Sequence, residues 1–242
     1  MNTNHRVSLA VVAIGILTSL PVARAVAQAP PTPDQVVAAL KESLAESHKR
    51  IRQYEWIETT AISLKGEEKS RKQQRVYYGA DGKLTKVPLA EPPAQAAPSR
   101  GRGGRVKQQV IENKKDDMQE YMTKAVALIQ QYVPPDPAQV QKAKDAGHMQ
   151  VHPQPEGKLR VEFRDYFQPN DQLAIDVDAK AARLSAVSVA TYLEKTEDAV
   201  TLNVRFATLA DGTSYSAQTA LEAKAKNIRV VVENSGHRPL AR

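Results

Sequence analysis

Leu159-Arg160-Val161-Glu162-Phe163-Arg164, Leu173-Ala174-Ile175-Asp176-Val177 and Val200-Thr201-Leu202-Asn203-Val204-Arg205-Phe206 decide how this chain folds. In each stretch apolar residues alternate with polar or small ones. That is the period of a strand with one face on a core and the other in water. Leu184 to Leu193, Tyr215 to Leu221 and Ile228 to Val232 continue the pattern. Asp178-Ala179-Lys180-Ala181, Asp211-Gly212 and Ala225 to Asn227 supply tight turns between them. Short connections throughout imply an antiparallel meander.

Toward the N-terminus the period changes. Thr32-Pro33-Asp34-Gln35 reads as a helix start, with Thr32 as N-cap, Pro33 at N1 and Gln35 closing a capping box. Val36, Val37, Leu40, Leu44, His48 and Ile51 follow at helical spacing and give that helix one apolar face, ending near Arg52. Tyr54 to Leu64 returns to period two, Lys65-Gly66-Glu67 turns, and Arg71 to Tyr78 runs back. Ala80-Asp81-Gly82-Lys83 is a hairpin turn into a short strand, Leu84 to Val87. Residues 88–105, rich in Pro, Ala, Gly and Arg, read as a low-complexity loop. Val106 to Val133 is a second helical region, in which Met118, Tyr121, Met122, Ala125, Leu128, Ile129 and Tyr132 form a stripe. Pro134-Pro135 stops it. Asp136-Pro137-Ala138-Gln139 starts a third, short helix that ends at Gly147. The fold class is α+β: about eight strands in a strongly curved antiparallel sheet, an unclosed half-barrel, with helices covering the concave face.

The first 27 residues have the form of a secretory signal. Arg6 is the positive n-region, Val7 to Leu20 the apolar core, and Ala25-Val26-Ala27 the small residues before cleavage at Gln28. The core is shorter than the ~20 residues of a membrane span. A periplasmic or secreted chain, a single domain over 28–242 with no membrane-spanning segment, is the expectation. Loss of Arg6 and Arg24 takes the 34 Lys and Arg to 32, against 27 Asp and Glu, so the exported chain stays mildly basic. That charge suits transient contact with an anionic membrane surface. Arg100-Gly101-Arg102-Gly103-Gly104-Arg105 has no aromatic beside it, and nucleic acid is not expected as a partner. There is no cysteine, which excludes disulfides, thiol nucleophiles and Cys-ligated metals.

No motif names a reaction. His148 and His152 are flanked by Gly147 and Pro153, which reads as a loop, and there is no His-Glu-x-x-His, so no metal is expected. Ser235-Gly236-His237 has no acid beside it and reads as a polar turn. Asp176 with Asp178, and Glu55 with Glu58, read as solvated strand residues. No cofactor is expected, and the chain is read as non-enzymatic. The residues left are apolar: Trp56, Ile62, Tyr78, Met118, Met122, Leu128 and Ile129 would line a ligand cavity if the sheet wraps the helices. The plainer alternative is a filled core.

A leader, an N-terminal amphipathic helix (Thr32 to Arg52), a hairpin opened by Trp56, a helical lid (Asp116 to Gly147) and a meander ending in Asp211-Gly212 and Ile228 to Val232 resemble the periplasmic lipoprotein-carrier superfamily, which includes the Lol-type carriers. The resemblance implies an unclosed barrel whose lid covers an apolar cavity for acyl chains, with no catalysis. The function it points to is exported binding of a lipid, lipoprotein or other apolar ligand. A cell-envelope interaction protein with a filled core is the second reading, and an exported hydrolase the third.

Overall fold

The computed structural model describes residues 33–89 and 104–240, with side chains from 38 and from 116 onward in the two helices that open these segments. The signal sequence, the Thr32 cap and most of the 88–105 loop lie outside the described residues.

Helix α1 spans Pro33–Ile51, α2 Gly104–Ile129 and α3 Pro137–Asp145. Ten strands accompany them: β1 Tyr54–Leu64, β2 Glu67–Tyr78, β3 Leu84–Pro88, β4 Met149–Gln154, β5 Lys158–Arg164, β6 Gln172–Asp178, β7 Arg183–Tyr192, β8 Ala199–Thr208, β9 Ser214–Ala223 and β10 Ile228–Pro239. They form one curved antiparallel sheet that does not close, in the order β3-β2-β1-β10-β9-β8-β7-β6-β5-β4. Neighbours in sequence are neighbours in space, with two exceptions. β1 pairs with β10, and the segment carrying α2 and α3 joins the two edge strands, β3 and β4. That single long connection places the second and third helices on the sheet.

The register explains why one face is apolar. Ile62 pairs with Val230, Val230 with Leu221, Leu221 with Leu202, Leu202 with Val189, Val189 with Leu173, Leu173 with Phe163 and Phe163 with Met149. Directly paired residues share a face, so this row runs across eight strands on the side the helices cover. The opposite face carries ion pairs, among them Arg160 with Asp176 at 2.8 Å and Arg229 with Glu222 at 3.1 Å.

The sheet has ten strands where the sequence reads about eight, and the clearest departure has a local cause. The stretch after Gly147 is not a loop but strand β4, and His148 and His152 stand in or next to it. Pro153 is tolerated there because β4 is an edge strand, where a missing N–H need cost no ladder bond. Pro88 ends β3 at the other edge for the same reason. The α3 start follows the sequence: Asp136 is extended and its Oδ1 accepts the Ala138 N–H at 2.8 Å, with Pro137 in the first turn.

Candidate ligand-binding recess

The seven apolar residues singled out by the sequence do not form one wall. Met122, Leu128 and Ile129 belong to α2 and pack into the main core with Ala125, Tyr132, Phe163, Leu173, Val187, Val189 and Leu202. Met118 lies half-buried one turn earlier. Ile62 sits on the covered face of β1 but beyond the helices, 38% exposed. Trp56 and Tyr78 lie apart from all of these, under α1.

The core beneath α2 is filled and pinned. Tyr132 is fully buried, and its hydroxyl donates to Asp171 Oδ2 at 2.5 Å and lies 2.7 Å from Thr191 Oγ1. Asp171 also accepts the backbone N–H groups of Tyr166, Phe167 and Gln168. Gln168 Nε2 donates to Thr191 Oγ1 and to the Tyr192 carbonyl. Burial, then the bond to Asp171, push the Tyr132 phenol well above its usual value. Nothing in the sequence drew attention to Asp171; the Pro169-Asn170-Asp171 turn signal marks the place.

Under α1 the packing is incomplete. Leu44, Ser47, His48 and Ile51 from the helix face Trp56, Tyr78, Phe206, Ser214, Tyr215, Ser216, Asn234 and His237 from five strands, around a recess of about 270 Å³. Trp56 is held by a bond from its indole N–H to Asn234 Oδ1 at 3.0 Å. Its ring stacks on His237, with centroids 5.6 Å apart, and meets Tyr78 at 6.2 Å. Tyr215 approaches the other side of His237 at 4.0 Å. The β1–β10 register shifts between Glu55 and Ile57, where Ser235 to Arg238 spends one extra residue; this bulge in β10 brings His237 to the face that carries Asn234 and Trp56, which strand periodicity alone does not reveal. Burial lowers the His237 imidazole below its usual value and favours the neutral ring. The Ser214 hydroxyl is buried and has no hydrogen-bond partner among the described residues.

α1 is held to the sheet by polar contacts at its end. Ser47 Oγ accepts the Ser214 N–H at 3.0 Å, and Arg50 donates to the Asp211 carbonyl at 2.9 Å. Asp211-Gly212 forms the β8–β9 turn, with Gly212 at φ +87°, a conformation that favours glycine. The Asp211 carboxylate, lowered first by the Thr213 N–H, also accepts from the Thr213 and Tyr54 hydroxyls.

Larger depressions, of about 370 Å³ near Ser63, Thr201 and Arg229, about 390 Å³ near Tyr121, Lys124 and Asp198, and about 420 Å³ near Thr59, Phe206 and Glu233, each have charged side chains in their walls. Among the described residues no cluster of three or more His, Asp or Glu is arranged to hold a metal, and no helix is long and apolar enough to cross a membrane. His148 instead lies 3.8 Å from Asp165, Asp176 pairs with Arg160, and Asp178 caps the turn at Lys180 and Ala181.

No family model matches the chain, and no curated protein does. Among solved structures it is similar to a DUF1329 family protein from Desulfovibrio piger, at 11% identity and a TM-score of 0.39, over 84% of this chain and 92% of that one. It is also similar to the LolA superfamily protein NE2245 from Nitrosomonas europaea, at 10% identity and a TM-score of 0.35, over 84% and 94%.

Proposed function

We propose that the protein is an exported, non-enzymatic carrier or binding protein that takes an apolar ligand, such as an acyl chain, in the recess under α1. The observation that supports this reading is the space of about 270 Å³ walled by Leu44, Ile51, Trp56, Tyr78 and Phe206, with no carboxylate in its lining. A few polar groups set among apolar walls are the usual make-up of a small-molecule site. Here they are Ser47, Ser214, Ser216 and Asn234, of which the buried Ser214 hydroxyl is free to bond a ligand. The volume lies just below the ~300–1,000 Å³ of such sites. A long chain therefore requires α1 to lift, breaking the Ser47 and Arg50 contacts. Export rests on the leader at residues 1–27.

Burial of a methylene is worth about 0.8 kcal/mol. A twelve-carbon chain buried in full would gain about 9 kcal/mol, against about 4 kcal/mol or more for lost freedom. The remainder corresponds to roughly 0.1–1 mM. Trp56 is the chain's single tryptophan and lines the recess, so its emission reports occupancy directly. Titration of delipidated protein with dodecyl amphiphiles below micelle formation is expected to shift and saturate that emission. An unchanged spectrum with every probe overturns the reading.

A further inference from the structure

The open rim of the recess carries a cation without a counter-charge. Arg52 follows α1 and is exposed. Its guanidinium stands 5.5 Å from the centroid of the Tyr78 ring, and its Nη2 lies 3.2 Å from His48 Nε2. Tyr78 and His48 both line the recess. Other cations of this end of the sheet are paired: Arg75 and Arg238 with Glu55, and Lys86 with Glu58. Arg52 forms no ion pair among the described residues. The nearby β2–β3 turn contains Asp81, whose carboxylate accepts the Lys83 N–H at 3.0 Å and makes no ion pair with Arg52. No Asp or Glu lines the recess.

From this juxtaposition we infer that the ligand is a single-chain anionic amphiphile, with its chain against Trp56, Tyr78 and Phe206 and its carboxylate or phosphate head on Arg52 beside His48. This rests on the binding role proposed for the recess. The reason is chemical. The Arg52 guanidinium lies within cation–π range of the Tyr78 ring, at 5.5 Å from its centroid, and a guanidinium fork can meet two anionic oxygens at once. The imidazole of His48, as an acceptor from Arg52, leaves the arginine's other donors open. A cationic head would be repelled by Arg52, and a neutral head would gain no ion pair with it. Such a charge-assisted contact also supplies what a short chain lacks, since the apolar term alone gives weak binding.

The test is a Trp56 emission titration of the full exported chain with four twelve-carbon probes below micelle formation: dodecanoate, dodecyl phosphate, dodecyl maltoside and dodecyltrimethylammonium. Both anions are expected to bind about tenfold more tightly than the maltoside, and the ammonium more weakly still. Arg52→Gln is expected to erase the anion preference and leave the maltoside Kd unchanged. Lys49→Gln removes a charge from an exposed position of the same helix and serves as the control for net charge; it should keep the preference. Dodecanoate alone preferred over phosphate narrows the head to a carboxylate, and the reverse narrows it to a phosphate. Equal Kd values for all four probes, or a preference that survives Arg52→Gln, overturn the inference while the apolar recess stands. No response to any probe overturns the binding role itself.

Discussion

Under α2 and α3 the sheet meets Ala125, Ile129 and Ala143, all buried, while under α1 it meets Leu44 and His48, both exposed. Both covers are helices on the same face of the same sheet. Their difference lies in what fills the space between. Beneath α2, Tyr132 reaches down to a carboxylate that gathers three backbone N–H groups, and large apolar chains close around it. Beneath α1, serines at 47, 214 and 216 stand where larger chains would complete the packing. A layered architecture does not by itself make a ligand site; short side chains opposite aromatic ones do.

If the two ends differ as described, cavity mutations should separate them most. Leu173→Ala, at a fully buried position, is expected to cost about 3–5 kcal/mol, whereas Leu44→Ala, already 36% exposed, should cost less than about 1 kcal/mol. Urea unfolding midpoints of the two variants decide it, and similar losses would break the contrast. Asp171→Ala comes next. It strips the acceptor from four buried or half-buried donors and should cost about 3 kcal/mol, with loss of Tyr132 near-ultraviolet dichroism.

Acid should weaken the α1 end. The unfolded imidazole of His237, near 6.5, takes a proton before the folded one does, because burial lowers the folded value. The stability this group contributes is present above about pH 6.5 and is lost as pH falls through the folded pKa. A melting temperature that drops between about pH 7.5 and about pH 5.5, and drops less in His237→Gln, is the expected pattern. Ser214→Ala sharpens the picture on a smaller scale. Removing a buried hydroxyl with no partner should leave stability unchanged or raise it by up to about 1 kcal/mol, read by thermal melting. Lys49→Ala breaks only the exposed pair with Glu46 and should leave the melting midpoint unchanged.

Much of the fold was legible in the residues. Alternation at Leu159 to Arg164, Leu173 to Val177 and Val200 to Phe206 marks strands β5, β6 and β8, because a period of two has no other use in a half-buried segment. Asp136-Pro137 marks α3, because the cap chemistry is local. β4 was missed, since Gly147 and Pro153 are breakers in isolation and become harmless only at a sheet edge. The site was legible in part. Trp56 and Tyr78 lie on neighbouring strands of one hairpin and meet, but Phe206, Tyr215, Asn234 and His237 come from strands far away in sequence, brought in by the β1–β10 pairing. The methionines of α2 share their stripe pattern with a ligand wall, and periodicity cannot tell a wall from a plug.

The sequence by itself determined most of the elements, the antiparallel pairing of strands that follow one another and which face of each would be apolar, for these follow from side-chain period, turn chemistry and short connections. Only the tertiary structure decided which helix closes tightly and which leaves space. That depends on the volumes of side chains facing one another across long sequence separations, at registers shifted by bulges near Trp56 and Phe206. Packing is a sum over such distant pairs, and no local pattern encodes it.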